Sequence, residues 1–219
     1  MNAFFQTILN LLYPPKCAFC RSLVSSERMI CPDCEKKQPF TDSTSGRRML
    51  GTVSLAVAPF KYEGSVRDAL LRYKFHGLSC YSGIFGEFMA KEILKAGIEA
   101  DMICWIPLSK ARLRKRGYDQ ARLLAEEIAD ILQMPCCPLL EKTKHNSAQS
   151  GMAGKEERIK NVSGVYLARA NTVIQGKKIL LIDDIITTGA TMEEAAKELM
   201  RAGAACVYGA AAAMRQIGP

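Results

Sequence analysis

The segment 179–191, ILLIDDIITTGAT, constrains the fold of this chain more than any other part of the sequence. Its apolar run, residues 179–182, predicts a strand of a parallel sheet that is covered on both faces. Asp183 and Asp184 follow, which places them in the crevice at the carboxyl edge of the sheet, where open α/β sheets bind ligands. Residues 187–191 then predict a turn at the start of a helix, whose N–H groups and threonine hydroxyls suit a phosphate.

The residue types within this segment indicate which phosphate ligand fits. Gly189 permits a positive φ and lacks the Cβ that would block a close anion. Asp183 and Asp184 would repel a phosphate, but they suit the vicinal hydroxyls of a ribose or a metal ion beside it. A phosphate next to a diol describes a ribose 5-phosphate.

The segment resembles the phosphoribosyl pyrophosphate (PRPP) binding signature of type I phosphoribosyltransferases, in which a hydrophobic strand leads to two acids and Thr-Thr-Gly-x-Thr. Neither of the competing phosphate motifs, G-x-x-x-x-G-K-[ST] or a strand-linked G-x-G-x-x-G, occurs. The resemblance implies that Asp183 and Asp184 are catalytic. The PRPP-binding residues that it implies here are Asp183, Asp184, Thr187, Thr188, Gly189, Ala190 and Thr191.

One position weakens the case for purine-base chemistry. Purine phosphoribosyltransferases often carry an acid three residues after the second carboxylate, where it can accept the proton of the base; here that residue is Thr187. A threonine is a poor general base at neutral pH. Orotate-type enzymes also have threonine there, so transfer in general stays compatible with the sequence.

Composition limits the class of protein. The 219 residues can form one α/β domain with a small appendage, and the net charge of +8 favours anionic partners, either phosphorylated metabolites or nucleic acid. Nine cysteines without a recognisable secretory leader predict a reducing, cytoplasmic location. The apolar residues 3–13 are too few to span a bilayer, so we expect no transmembrane segment. A helix packed on its neighbour is preferred there over a membrane-surface or partner-binding helix.

Two cysteine pairs form the second strong motif. Cys17-x-x-Cys20 and Cys31-x-x-Cys34 supply four thiolates at the spacing of a closed, structural zinc site. Two disulfides are the alternative, which a reducing compartment disfavours. Because so small a segment cannot build its own core, we expect its folding to depend on Zn²⁺.

The chain divides into an N-terminal helix and zinc knuckle at 1–40, a polar linker at 41–51, and an α/β domain at 52–219. Strands and helices alternate in the third part, which predicts a parallel sheet flanked by helices with right-handed crossovers. The expected strands are 53–60, 101–107, 162–168, the signature strand beginning at 179, and 205–213. The expected helices carry buried residues in 66–73, 84–95, 121–132 and 192–199.

Two loops could contact anions. The turn of Leu108, Ser109 and Lys110 follows a strand that ends at Pro107, and five cations lie in 110–116. One interpretation assigns Leu108, Ser109 and Lys110 to pyrophosphate, and the other makes 110–116 a solvated or nucleic-acid-binding loop. The second loop, 142–161, is either a lid over the ligand or a mobile surface loop. Its candidate lid cations are Lys144, Lys155, Arg158 and Lys160.

The order of motifs extends the resemblance to nearly the whole chain. The motifs are the four cysteines, Pro107-Leu108, RGYDQ at 116–120, Gln149, Arg158-x-x-Asn161 and the acid pair. Together they resemble the ComF family, competence-associated proteins with a zinc knuckle before a phosphoribosyltransferase-like domain. Tyr118 and Asp119 stand where that family more often has Phe and Asn, which should alter local hydrogen bonding only.

The resemblance leaves two functions open. In the first, an enzyme of the glycosyltransferase class uses Mg²⁺ and PRPP to transfer ribose 5-phosphate to an unknown acceptor, in support of DNA uptake during natural transformation. Mg²⁺ would bridge pyrophosphate and ribose oxygens. In the second, an accessory protein of the competence machinery binds PRPP without turnover and contacts single-stranded DNA and other competence proteins. Fold alone does not decide between them.

Overall fold

The computed structural model describes residues 14–143, 164–169 and 173–216. The expected N-terminal helix and the candidate lid cations lie outside these ranges, as do Gln149 and Asn161. Of the described helices, none combines the length and the apolar composition that crossing a membrane requires.

A mainly parallel sheet forms the centre of the molecule. The described residues form the strands β1 (Arg47–Leu50), β2 (Val53–Val57), β3 (Phe60–Lys61), β4 (Met102–Trp105), β5 (Leu140–Lys142), β6 (Tyr166–Ala168), β7 (Lys178–Ile186) and β8 (Cys206–Met214). The main sheet has the order β1-β2-β8-β7-β4, and β3 extends the line of β2 along β8. Its pairings are parallel except that of β1 with β2. Strands β5 and β6 pair antiparallel with each other in a separate ribbon.

Helices cover both faces of the sheet. They are α1 (Pro32–Lys37), α2 (Gly64–Phe75), α3 (Tyr81–Lys95), α4 (Lys110–Arg116), α5 (Gln120–Leu132) and α6 (Ala190–Arg201). The apolar faces expected from the helical period are buried in α2, α5 and α6, which confirms those helices. Helix α5 begins where the Asp119 carboxylate accepts the N–H of Arg122 at 3.3 Å.

Strand β7 separates the core into two clusters. Leu180 and Ile182 face the cluster that includes residues of α2, α3 and α5, whereas Ile179 and Leu181 face the cluster with α6 and the β5–β6 ribbon. All four side chains are fully buried, and each contributes about 1.5–3 kcal/mol of hydrophobic stabilisation. The same alternation directs the side chains of Asp183 and Asp184 to opposite faces of the sheet.

Part of the segment interpreted as a linker is a strand. Arg47 lies opposite Val57 in an antiparallel pairing that makes β1 the edge of the sheet. This strand has no alternating apolar pattern, and Met49 is 80% exposed, so the strand is held by its pairing with β2 and by the side chains of Arg48 and Leu50 rather than by a continuous buried face. Before it, Asp42 accepts the N–H groups of Thr44 and Ser45 at 2.8 and 2.7 Å, which closes a tight turn. The division of the chain into three parts otherwise stays a prediction.

The cysteine-rich segment packs directly on the α/β domain. The Phe19 ring is buried, with its centre 5.7 Å from that of Phe60 and 6.0 Å from that of Phe85. Arg72 of α2 donates through Nη2 to the carbonyl oxygens of Ala18 and Phe19, at 2.7 and 3.0 Å. The segment therefore shares its core with the α/β domain.

Candidate functional site

The acid pair lies inside β7 rather than after its end, which corrects the sequence-based expectation. On one side, β7 stays paired with β8 as far as Ile186. On the other side, β4 ends opposite Ile182, whose carbonyl accepts the N–H of Ile106 at 2.9 Å. Beyond Ile182, β4 makes no further pairing with β7, and the edge of β7 left unpaired on that side, at Asp183 and Asp184, is here called the crevice. The long pairing with β8 is a tertiary contact that the local sequence does not encode.

Asp184 is held by a lysine that was not among the residues expected from the sequence. Its Oδ1 accepts from the Nζ of Lys74, near the end of α2, at 2.9 Å. The side chains of Asp184 and Lys74 are 12% and 17% exposed, respectively, so the ion pair is largely shielded from water. Val66, Leu70 and Lys74 repeat every four residues along α2. Lys74 lies on the same face of the helix as the buried apolar residues. A charged residue on a buried helix face is the sequence signal that could have predicted its role.

The surroundings of Asp183 shift its pKa strongly. Burial, and then the neighbouring charge of Asp184, raise the pKa of Asp183 to about 8, while the cation of Lys74 and the N–H of Asp184 act in the opposite direction. Near neutral pH the acid pair therefore carries fewer than two full charges. A pair of this kind can both donate to and accept from sugar hydroxyls.

The residues 187–191, here called the phosphate turn, connect β7 to α6 as expected. Gly189 has φ +85° and lies directly before the first residue of α6. The hydroxyl of Thr188 accepts the N–H of Ala190 at 3.3 Å. The turn therefore presents the start of a 12-residue helix, where free N–H groups favour an anion.

Strand β1 supports the phosphate turn from outside. Arg48 donates to the carbonyl oxygens of Thr187 and Arg215, both at 2.8 Å. A Cβ on Gly189 would lie 2.5 Å from the Cδ2 of Leu50. The space left by the missing Cβ of Gly189 is therefore next to Leu50. The sequence-based expectation was that this space would admit the anion. Neither Arg48 nor Leu50 was expected here, because their segment was interpreted as a linker.

The turn of Leu108, Ser109 and Lys110 lies next to the crevice, but two of its polar groups are already engaged. The N–H of Leu108 donates to the Oδ2 of Asp119 at 3.0 Å. The hydroxyl of Ser109 accepts the N–H of Arg112 at 3.3 Å, and Lys110 is exposed. The assignment of these three residues to pyrophosphate stays a prediction.

The segment Lys110–Arg116 is a short helix, α4, and not the loop expected from its charge. Ser109 caps its start, and Gly117 at φ +82° ends it. Three of its cations lie in the last turn, where they interact favourably with the helix dipole. Helical spacing puts Arg112 and Arg116 on one partly buried face, while Arg114 and Lys115 are exposed.

Residues of the β5–β6 ribbon lie on the Asp183 side of the crevice. The Nζ of Lys142 donates to the hydroxyl of Tyr166 at 3.3 Å and lies 5.1 Å from the centre of its ring. Burial lowers the pKa of Lys142, Arg112 adds to this effect, and Asp183 opposes it. Burial also raises the pKa of Tyr166, and the charge of Asp183 adds to that shift. Lys142 and Tyr166 therefore belong to the electrostatic surroundings of Asp183.

Tyr118 and Asp119 connect the crevice to the neighbouring helices. The Asp119 carboxylate receives N–H groups from Leu108 and Arg122, while burial raises its pKa. The hydroxyl of Tyr118 donates to the carbonyl oxygen of Tyr73 in α2. Asp119 therefore joins the 108–110 turn to the start of α5, whereas Tyr118 makes a long-range hydrogen bond to α2, which goes beyond the local effect expected from the sequence.

The four cysteines form a candidate metal centre. Their Sγ atoms all lie within 4.8 Å of one another, and those of Cys20 and Cys31 are 3.6 Å apart. Tetrahedral zinc with Zn–S bonds of about 2.3 Å needs sulfur atoms about 3.8 Å apart, so the set fits the ion. None of the four forms a disulfide. Hydrogen bonds from Ser22 lower the pKa of Cys20 to about 6, which favours the thiolate that binds zinc.

Comparison with known families agrees with both parts of the chain. Residues 119–218 match the phosphoribosyl transferase domain, and residues 8–48 match the double zinc ribbon domain. These matches confirm the expected fold class, and together with the cysteine cluster they support structural Zn²⁺.

Three relatives span most of the chain. Competence protein ComFC of Streptococcus pneumoniae is 32% identical over 80% of this chain and 76% of its own length. Competence protein ComFC of Bacillus subtilis is 30% identical over 82% and 70%, respectively. DNA utilization protein YhgH of Escherichia coli K12 is 24% identical over 87% and 86%.

Solved structures are more distant. The glutamine PRPP amidotransferase from B. subtilis, complexed with ADP and GMP, superposes with a TM-score of 0.42 and 21% identity over 60% of this chain and 26% of that chain. A purine phosphoribosyltransferase from Pyrococcus horikoshii gives a TM-score of 0.39 and 17% identity over 62% and 75%, respectively.

Proposed function

The chain belongs to the ComF family of competence proteins, and from that premise we propose that it binds PRPP with Mg²⁺ and transfers ribose 5-phosphate to an acceptor. One observation carries the proposal. Asp183 and Asp184 lie near the end of β7, shortly before the threonine-rich turn that leads into α6. The acids suit a diol and the turn suits a phosphate, and a ribose 5-phosphate contains both groups.

The chain offers residues of suitable chemistry for each part of PRPP. The phosphate turn binds the 5-phosphate through its N–H groups and threonine hydroxyls. Asp183 and Asp184 hold the ribose hydroxyls. The residues 108–110, together with Arg112 on the inner face of α4, bind the pyrophosphate. Mg²⁺ bound together with the ligand would supply further neutralisation of the negative charge on the pyrophosphate.

The proposed reaction breaks the bond between C1 of ribose and the pyrophosphate oxygen while an acceptor bonds to C1. Negative charge develops on the departing pyrophosphate, and cations fixed beside it stabilise the transition state more than the ground state. Thr187 offers no carboxylate to deprotonate a purine. The acceptor is therefore a nucleophile that does not rely on a base at that position.

Pyrophosphate release from PRPP tests the enzyme proposal. The protein is incubated with PRPP and Mg²⁺ and with nucleobases, amines or single-stranded DNA in turn. We expect saturable release with one acceptor class and its loss in D183N/D184N. The matched control, D68N/D130N, changes two exposed acids on α2 and α5 and should retain activity. PRPP binding without release, whichever acceptor is added, would contradict transfer but not binding.

The outer face of α4 favours a second candidate function, that of an accessory protein that binds PRPP and single-stranded DNA. Arg114 and Lys115 are exposed, and Phe75 is 57% exposed with the guanidinium of Arg116 lying 4.9 Å from its ring centre. Exposed cations suit a flexible nucleic-acid strand because they neutralise its phosphates, and the exposed part of the Phe75 ring offers a surface on which a base can stack. Both candidates fit a supporting role in DNA uptake within the cytoplasm. A salt titration of oligonucleotide binding separates them.

A further inference from the structure

The ion pair between Lys74 and Asp184 differs from the others in its protection from water. Both of its side chains are less than 20% exposed. In every other ion pair between described residues, at least one partner is 44% exposed or more. Exposed pairs are weak because water and salt compete with them, whereas a shielded pair keeps a defined geometry.

The backbone around Lys74 is held from several directions. The hydroxyl of Tyr73 donates to the carbonyl oxygen of Gln120 at 2.8 Å, and the carbonyl oxygen of Tyr73 receives the hydroxyl of Tyr118. Two residues before Lys74, Arg72 holds the cysteine-rich segment. These hydrogen bonds hold the C-terminal end of α2 in place, and with it the position of the Lys74 ammonium group next to Asp184.

The two oxygens of the Asp184 carboxylate differ in their hydrogen bonding. Oδ1 accepts from Lys74 at 2.9 Å. Within the described ranges, no hydrogen bond to Oδ2 is formed. A carboxylate that is held through one oxygen leaves its other oxygen available as an acceptor.

We propose that Lys74 is a specificity-determining residue, which holds Asp184 so that Oδ2 accepts the 2-hydroxyl of a sugar phosphate and the pocket prefers ribose 5-phosphate to 2-deoxyribose 5-phosphate. The inference rests on the proposed function, because it concerns the same pocket. The 2-deoxy sugar leaves a shielded, charged acceptor without its donor, and such an unpaired group is costly. Lys74 acts through Asp184 and is therefore a positioning residue.

Loss of Lys74 should change selectivity and not only stability. Without its partner, the carboxylate of Asp184 becomes an uncompensated charge in a shielded place, so it takes up a proton or turns toward water. Either change weakens its hydrogen bond to a sugar hydroxyl. It does not touch the phosphate turn, which binds through other groups. A lysine with a purely structural role would instead lower the affinities for both sugars by the same factor.

The test measures calorimetric affinities for ribose 5-phosphate, 2-deoxyribose 5-phosphate and inorganic phosphate. We expect the wild type to prefer the ribose compound by about tenfold or more, the range expected for a hydrogen bond to a charged group. In K74M the ratio should fall to about one, while the affinity for inorganic phosphate is retained. The matched control is K91M, which removes a lysine from the exposed pair with Glu87 and should keep the wild-type ratio.

The outcomes separate this proposal from the proposed function. A wild type that binds neither sugar phosphate would remove both proposals. A wild type that discriminates between the sugars, together with a K74M variant that keeps the full ratio, would overturn only the role of Lys74. If K74M does not fold, K74Q keeps a hydrogen-bond donor without the charge. It should show a reduced ratio, and an unchanged ratio there would overturn the proposal.

Discussion

At the scale of single residues, the two adjacent acids are largely buried, and the charge of one lysine does not neutralise both carboxylates. Asp183 and Asp184 are adjacent in the chain, and among the described residues one shielded cation, Lys74, bonds to the pair. Burial and the charge of Asp184 together raise the pKa of Asp183 to about 8. The folded protein therefore favours the protonated form of Asp183 in the absence of a ligand.

The first prediction concerns the pH dependence of stability. The pKa of Asp183 is about 8 in the folded protein and about 3.9 in the unfolded chain. Because folding raises it, the contribution to stability is complete below about pH 4 and is lost as pH rises through about 8. The free energy of unfolding of the wild type should fall relative to that of D183N across this window, by at most about 1.4 kcal/mol per pH unit.

Urea unfolding of both proteins at several pH values measures this difference. The control D130N alters an exposed carboxylate at the end of α5 and should leave the pH dependence unchanged. If the wild-type and D183N curves run parallel between about pH 4 and 8, Asp183 is ionised in the folded protein and its assignment as the protonated partner is wrong.

The second prediction concerns Gly189. G189A forces alanine to adopt φ +85° and places its Cβ 2.5 Å from the Cδ2 of Leu50. Strain and overpacking together should destabilise the protein by about 2–4 kcal/mol. Thermal unfolding measures the change. G97A is the control, because Gly97 has φ +66° with open space around it and should show the strain alone.

Shortening Leu50 separates the two causes. The double variant G189A/L50A removes the close approach but not the strain, so it should cost less than the sum of the two single changes. Strict additivity of the two changes would show that Leu50 does not restrict position 189.

At the scale of elements, the sequence predicted what hydrophobic periodicity encodes. The buried face of α5 and the apolar start of β7 follow from patterns that any buried helix or strand would show. Strand β1 and helix α4 carry no apolar pattern, since β1 is held by edge pairing and α4 by the caps Ser109 and Gly117. Sequence-based interpretation therefore took both for loops.

In the candidate site too, residues within a local motif could be predicted from the sequence, and residues that depend on tertiary contacts could not. The acid pair and the phosphate turn were identifiable because they lie in one contiguous motif. Lys74, Arg48 and Tyr166 were not, because each reaches the site from a different element. Their roles depend on tertiary contacts, such as the 2.9 Å ion pair across α2 and β7, that no local pattern reports.

The third prediction uses the two faces of α4. Charge reversal of the exposed cations, R114E/K115E, should weaken binding of single-stranded DNA. The salt dependence of binding should fall by about 0.7 log units per tenfold salt for each DNA phosphate that the variant no longer neutralises. PRPP affinity should persist, because these side chains are exposed and are not among the residues assigned to PRPP. Fluorescence anisotropy over a salt series measures the slope.

The complementary variant R112E should have the opposite effect: it should weaken the binding of PRPP and leave the binding of single-stranded DNA unchanged. The control K91E/K178E reverses two exposed cations outside α4 and accounts for the change in net charge. Equal weakening of DNA binding in R114E/K115E and in this control would show that overall charge, and not α4, attracts DNA.

At the scale of the whole molecule, the cysteine-rich segment and the α/β domain form one structure. Phe19 packs edge-on against Phe60 and Phe85, and Arg72 bonds to the backbone of the segment. The same turn of α2 carries Lys74, which contacts Asp184. A short path of packed residues thus joins the metal centre to the crevice.

The fourth prediction concerns zinc. Protein purified without added metal should contain one Zn²⁺ per chain by elemental analysis. Removal of the ion by a chelator should lower the temperature of a single unfolding transition, because the segment has no core of its own. Structural zinc in small sites typically contributes about 10–16 kcal/mol of apparent binding energy. Two separate transitions, or two disulfides in reduced protein, would contradict this.

The aromatic contact of Phe19 also has an evolutionary consequence. A buried residue that packs against both Phe60 and Phe85 cannot change size alone without leaving a void or a clash. Substitutions at these three positions should therefore be correlated among relatives, even though one lies in the metal-binding segment and two lie in the α/β domain. Recombination that replaced one segment with that of a distant relative would have to restore this contact before the hybrid chain could fold.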